Sequence, residues 1–308
     1  APRMDDEAFQ STLARAKSMV ANAESDPMTS FRDSLMMVMY DNHPLVKRMT
    51  AEDYDKVDYA KGLKMAAERF ADPNNFVFTF VGNINPEPFE PLVGVFQDGV
   101  FAISRKRKSK KNKETWKDNG PKFTNKDYIC HFEKQMETPM ATCYMIYNGS
   151  MEYTLENRIK MDMLSQIMDI VYTEKIREDE GGTYGVGTDG NIMLRPEPSF
   201  MFLIGFNTNK EMYEKLMGIA KTEFQNVANV GPRPEDLQKV KEYMVKKHAE
   251  DLENNQYWMS CIQTEMRDGL NMMDDYEKIV NGITAQDIAD LTKQILNGYK
   301  KEAVQLPK

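Results

Sequence analysis

The stretch with the most chemical potential is Ile176-Arg177-Glu178-Asp179-Glu180-Gly181-Gly182-Thr183-Tyr184-Gly185-Val186, where an arginine and a tyrosine flank a corner made by two glycines. An apolar-periodic helix runs into this corner from about Thr154, and consecutive glycines stop it by permitting the positive φ of a helix C-cap. The alternation from Thr183 to Asn191 predicts a strand. Arg177 then lies in the last helical turn and Tyr184 on the strand leaving the corner, with both tips able to converge on one point. Two fixed donors aimed at one oxygen suit a peptide carbonyl or the oxyanion formed from it. The residues alone leave a structural alternative open, in which Arg177 caps the helix C-terminus against its dipole and Tyr184 is a half-buried strand aromatic.

Metal chemistry finds no comparable pattern. The three histidines read His43-Pro44-Leu45-Val46-Lys47, His131-Phe132-Glu133-Lys134-Gln135 and His248-Ala249-Glu250-Asp251-Leu252, and none completes H-x-x-E-H or H-E-x-x-H. His131 and Glu133 share one face of an expected strand, but a catalytic zinc needs three protein ligands and a base for its water. No metal ligand and no cofactor site is therefore expected in this chain. Cys130, Cys143 and Cys261 form no C-x-x-C pair, which excludes a thiolate zinc site and a disulfide framework and leaves buried free thiols. The 24 methionines fall mostly at helix-core spacing and read as core filler.

The elements that must position the corner come from a chain of 308 residues, enough for two domains. A formal net charge of −8 argues against a general nucleic-acid binder. The one basic run, Arg105-Lys106-Arg107-Lys108-Ser109-Lys110-Lys111-Asn112-Lys113, has no interleaved aromatics and reads as part of a solvated linker over 104–122. No apolar run is long enough to span a membrane. The chain begins Ala1-Pro2-Arg3, straight into a helical pattern, and reads as a fragment or processed product.

A phrase recurs near the end of each half: Thr50-Ala51-Glu52-Asp53-Tyr54 and Thr284-Ala285-Gln286-Asp287-Ile288, each a Thr N-cap with an acid at the third helical position. Two helices precede each phrase, about 5–24 and 30–40 in the first half and 234–254 and 257–270 in the second. A strand follows each, at 76–81 and at 302–306. The second copy is preceded by strands near 128–134 and 141–147, the helix ending at Arg177, and strands near 183–191 and 200–206. Thr208-Asn209-Lys210-Glu211 reads as one more capping box, opening another helix. The expected class is α+β, a mainly antiparallel sheet with helices packed on one face, present as one complete copy and the back half of another. The expected domains are a partial unit over 1–103, the linker over 104–122 and a complete unit over 123–308.

With this duplicated unit, the motif Arg177-x6-Tyr184-Gly185-Val186 and the phrase running from Arg69-Phe70-Ala71-Asp72-Pro73 to Val81-Gly82-Asn83, the chain resembles the C-terminal half of the pitrilysin-like zinc proteases. These are the inverzincins, relatives of insulin-degrading enzyme and mitochondrial processing peptidase, and the second phrase resembles their large bacterial members. The resemblance implies four related domains in two halves that close around a peptide. It implies zinc in the N-terminal half, held by H-x-x-E-H and a distant glutamate, and an arginine and tyrosine supplied by the C-terminal half. By resemblance, Tyr184 would donate to the scissile-region carbonyl and oxyanion, and Arg177 would orient it or bind the substrate backbone. The expected partners are a peptide substrate and a catalytic N-terminal half, in the same polypeptide or a partner chain. A separate subunit of a two-chain protease and a structural homologue without protease role are the alternatives. A periplasmic or cell-envelope location is expected on resemblance alone, and the chain by itself is expected to be inactive.

Overall fold

The computed structural model describes residues 4–71, 76–77, 79–83 and 120–308. The chain divides into two compact units that interleave along the sequence. One draws on Ala1–Asp26, Arg48–Lys117 and Asn255–Gln263, the other on Pro27–Lys47, Asp118–Asn254 and Thr264–Lys308.

In the first unit, α1 (Asp6–Ser25) opens on Asp5, whose carboxylate accepts from Ala8 N at 3.0 Å. Thr50 and Asp53 form the expected capping box at the start of α3 (Ala51–Asp55). The helix expected to continue from there instead stops, and Asp58 caps a separate α4 (Tyr59–Arg69) by accepting from Lys61 N at 2.9 Å. Phe9 of α1 stacks on Tyr59 with ring centroids 4.2 Å apart, and the Tyr59 hydroxyl accepts from Asp5 N at 3.0 Å. Of the strand expected at 76–81, residues 76, 77 and 79–81 carry no strand assignment, and Phe78 lies outside the described residues. The basic run over 105–113 also lies outside the described residues.

The second unit is built on five strands: β1 (Tyr128–Lys134), β2 (Ala141–Ser150), β3 (Val186–Met193), β4 (Ser199–Thr208) and β5 (Tyr299–Pro307). They run in the order β1-β5-β2-β4-β3. Only the β1–β5 pair is parallel, so the sheet is mainly antiparallel, as expected. Helices α5 (Leu155–Tyr172), α6 (Tyr213–Val230), α7 (Pro234–Asp251), α9 (Tyr276–Gly282) and α10 (Ala285–Leu296) pack with the sheet around the main core; α8 (Asn255–Asp268) contributes residues to both units. The Tyr172 hydroxyl donates to Ala220 O at 3.0 Å inside that core and ties α5 to α6. The second face carries α2 (Pro27–Met39), which the sequence order had grouped with the first repeat. Its buried stripe Phe31, Leu35 and Met39 recurs every four residues and packs with Ile146 and Ala303. Each such side chain contributes about 1.5–3 kcal/mol by leaving water.

Two expectations about caps divide. Thr284 and Asp287 form the second capping box, matching Thr50 and Asp53. The box expected at 208–211 does not form, because Thr208 belongs to β4 and its hydroxyl donates to the Gly182 carbonyl. Asn209 Oδ1 instead accepts from Met212 N at 2.9 Å, just ahead of α6.

The second unit buries the charged side chains Asp236, Lys301 and Glu302, and Lys301 lies deepest of the three. Lys301 of β5 is 1% exposed, and its ammonium donates to Thr124 O at 2.8 Å and to Asn148 Oδ1, both neutral acceptors. Burial pushes its pKa down to about 8, with Asp127 opposing at longer range. A base with a lowered folded pKa binds fewer protons folded than unfolded, so its penalty is fully present below pH 8 and fades as pH rises toward the unfolded value of about 10.4. Lys301→Gln removes the titration and keeps donors for both acceptors. Denaturant unfolding across that window should show wild-type stability rising relative to the variant, and a pH-independent difference would refute the assignment.

Candidate functional site

The corner between α5 and β3 is built differently from a simple helix end. After Tyr172 the helix continues as a π-helical turn, Thr173–Glu178, with Asp179 N donating to Glu174 O at 3.0 Å. Such turns insert a residue into the helical ladder and are frequent at functional sites. This one buries Ile176 and leaves Arg177 exposed. Gly181 N then donates to Arg177 O at 3.1 Å, and Gly181 adopts φ 63°, the left-handed C-cap that the paired glycines announced. Gly182 serves a different need, since a Cβ there would lie 2.5 Å from Met212 Cε.

The corner is held from several directions. Glu174 in the π turn accepts from Arg233 Nη1 at 2.7 Å, and Arg233 Nε donates to Asp236 Oδ2 at 2.6 Å. Hydrogen bonds from Lys175 and Arg233 draw the Glu174 pKa below the usual carboxylate range. Lys215 of α6 pairs with Glu180. On the strand side, Thr188 N donates to Asp169 Oδ1 at 2.9 Å, and the Thr188 hydroxyl lies 2.9 Å from both that oxygen and Ser165 O. Burial raises the Asp169 pKa in spite of the Thr188 donors. Those contacts lay α5 along the sheet edge so closely that a Cβ on Gly190 would meet Met161 Cγ at 2.6 Å.

Tyr184 does not stand on the strand, which begins two residues later at Val186. It sits at the head of a tight turn in which Gly185 N donates to Thr183 Oγ1 at 3.2 Å and that hydroxyl donates to Gly185 O at 3.0 Å. This Thr-centred bond competes with the ladder and delays the strand. The Tyr184 side chain is fully exposed, not half-buried. Arg177 and Tyr184 are placed on the two sides of one corner, but no hydrogen bond links them. Neither side chain has a hydrogen-bond or ion-pair partner among the described residues. Sequence reasoning missed the π turn and the Arg233 brace. The isolated Thr183-x-Gly185 spacing was the one local signal of the turn.

The described residues do not fit a zinc ion. None of their His, Cys, Asp and Glu side chains gather in threes. His43 Nδ1 accepts from Leu45 N at 3.2 Å, His131 is exposed on β1, and His248 is buried in a stack on Tyr276 at 4.1 Å. Cys143 and Cys261 are buried free thiols and Cys130 is half-buried; burial pushes Cys143 up to about 12, far from a thiolate ligand. No helix among the described residues is long and apolar enough to cross a membrane.

The chain belongs to the M16 peptidase family: residues 61–244, more than half its length, match the family model described as the Peptidase M16 inactive domain. It is 23% identical over 266 residues to a zinc protease PQQL-like protein of Arabidopsis thaliana, a match covering 81% of this chain and 27% of that protein. Its fold is similar to the periplasmic protease PqqL from Escherichia coli, with a TM-score of 0.80 at 15% identity, covering 99% of this chain and 33% of PqqL. An M16 inactive domain from Pseudomonas fluorescens matches with a TM-score of 0.74 at 16% identity, over 100% of this chain and 72% of that one. The chain thus spans about a quarter to a third of the two longer relatives.

The corner's rigidity rests on Gly181. A Gly181→Ala variant should lose about 1 kcal/mol of stability in denaturant unfolding, because a Cβ is strained at positive φ. Gly181→Asn, which tolerates that conformation, should recover most of the loss. Equal stability of Gly181→Ala and wild type would show that the corner relaxes freely.

Proposed function

We propose that this chain is the non-catalytic, substrate-binding region of a zinc metalloendopeptidase, closing over peptide substrates and supplying Arg177 and Tyr184 as a donor pair. The observation that carries the reading is Tyr184, fully exposed and without a hydrogen-bond partner, on a turn whose surroundings are braced. The backbone beneath the phenol is ordered during folding by the Thr183–Gly185 bonds, which leaves only side-chain entropy to be lost when another molecule brings an acceptor. In the proposed complex Tyr184 donates to the scissile-region carbonyl and to the oxyanion that develops on it. Arg177 presents a planar, multi-donor group that orients Tyr184 or binds the substrate backbone. The zinc and its activated water belong to an N-terminal catalytic half, in the same polypeptide or in a partner chain. That half would carry the metal chemistry, and the described residues of this chain hold none of it.

Family membership supports the protease setting, and the periplasmic description of PqqL from Escherichia coli supports a periplasmic or envelope location. The two matching capping boxes support a duplicated organisation along the sequence, with a partial unit over 1–103, a linker over 104–122 and a complete unit over 123–308, although the compact units exchange 27–47 and 255–263 across those bounds.

The test requires the full-length protein. Tyr184→Phe removes one hydroxyl from an exposed side chain, so folding should be unchanged while kcat falls by about 10²-fold, the scale of a lost oxyanion donor. Arg177→Ala should weaken both peptide binding and rate, and Arg177→Lys should restore little. Wild-type kinetics in a folded Tyr184→Phe protein would overturn the assignment.

A further inference from the structure

A cavity of about 250 Å³ opens in the second unit where the end of β2, the β3–β4 turn, the segment before β1 and the end of α2 meet. Tyr40 and Phe123 form one side, with ring centroids 5.0 Å apart. Thr124 N donates to Met39 O at 2.8 Å, fixing the Phe123 segment to the end of α2. Lys122 and Glu197 pair across the rim at 2.9 Å.

Asn148 makes this more than a dent. It lines the cavity, is 2% exposed, and its Oδ1 is taken by the Lys301 ammonium. An ammonium can only donate, so the amide's orientation is fixed, with Nδ2 directed away from Lys301 on a residue that lines the cavity. No protein acceptor meets them among the described residues. Lys301 itself has no carboxylate within ion-pair reach there; its contacts are two neutral oxygens and, at 5.6 Å, the Tyr299 ring. A buried ammonium whose hydrogen-bond partners are neutral is only partly compensated, by Asp127 at longer range, and the amide relays its charge as a polarised donor. The group that satisfies both is an anion able to accept hydrogen bonds.

We propose that this cavity binds an organic carboxylate of single-residue size, with the carboxylate on the Asn148 amide and an aromatic side chain against Tyr40 and Phe123. The volume is below that of drug-sized sites and suits one residue. The ring pair supplies the offset and edge-on contacts that aromatic groups prefer. The ligand is a free aromatic amino acid or the C-terminal residue of a peptide, which share this chemistry. This site is independent of the corner at Arg177 and Tyr184, and of the protease reading.

The experiment is a binding titration of the full-length protein, by calorimetry or by chemical-shift changes, with N-acetylphenylalanine, its carboxamide, and a short peptide ending in phenylalanine. Saturable binding of the acid is expected, with at least about tenfold weaker binding of the carboxamide. Asn148→Asp keeps an oxygen on Lys301, neutralises its charge and removes the Nδ2 donors. It should remain folded and bind the acid at least about tenfold more weakly. A peptide that binds tighter than the free acid assigns the site to peptide ends, and equal affinity assigns it to the single residue. Absence of saturation, or a carboxamide bound as tightly as the acid, overturns the proposal. The second comparison uses wild-type protein alone and stands even if the variant does not fold.

Discussion

The second unit depends on the insertion of its last strand between two strands made more than 150 residues earlier. β5 pairs with β1 through Tyr128↔Lys301 to Lys134↔Pro307, and with β2 through Thr142↔Gln305 to Asn148↔Tyr299. Until it arrives, β1 has no partner and the inner edge of β2 is open. Contacts of such long sequence separation are made only after a large loss of chain entropy. The burial of Ala303, Val304, Gln305 and Leu306 from both sides is what offsets that loss. Lys301 enters the interior because this strand carries it there, and it meets Asn148 of the neighbouring β2.

A second constraint fixes the opposite edge of the sheet. β3 would expose unpaired backbone groups, an invitation to foreign strands. Asp169 and Ser165 of α5 instead engage Thr188, and Gly190 lets the helix approach. The same helix continues into the π turn, so closing the edge and placing Arg177 are one act of packing. Arg233 and Lys215 then hold the turn from neighbouring elements.

Much of this was legible in the residues. Strand alternation located β1 to its last residue, and the apolar period gave α5, α6 and α7, because burial on one face writes itself into sequence at a fixed spacing. Both Thr–Asp capping boxes were readable because the bonds are local. What failed was non-local. Thr208 satisfies every local requirement of a cap, yet its hydroxyl is claimed by Gly182, 26 residues away along the chain. The π turn leaves no signature of its own, since it answers to the packing of Ile176. Tyr184 was moved off the strand by one threonine hydroxyl. The grouping of α2 with the sheet follows from side-chain complementarity that periodicity alone does not address.

An exposed arginine or tyrosine without a partner is ordinary on a protein surface and, by itself, argues for nothing. The distinction at this corner lies in the ratio of bracing to contact. Glu174, Glu180, Gly181, Gly182 and Thr183 are each held or shaped by a neighbour, whereas the Arg177 and Tyr184 side chains are held by none among the described residues. A mobile loop with free donors would lose on binding whatever it gained in hydrogen bonds, because the backbone would have to be ordered at that moment. Here the ordering is completed during folding, and the donors remain unspent. Such an arrangement suits an acceptor that arrives from outside the chain, which is what the role proposed for Arg177 and Tyr184 requires.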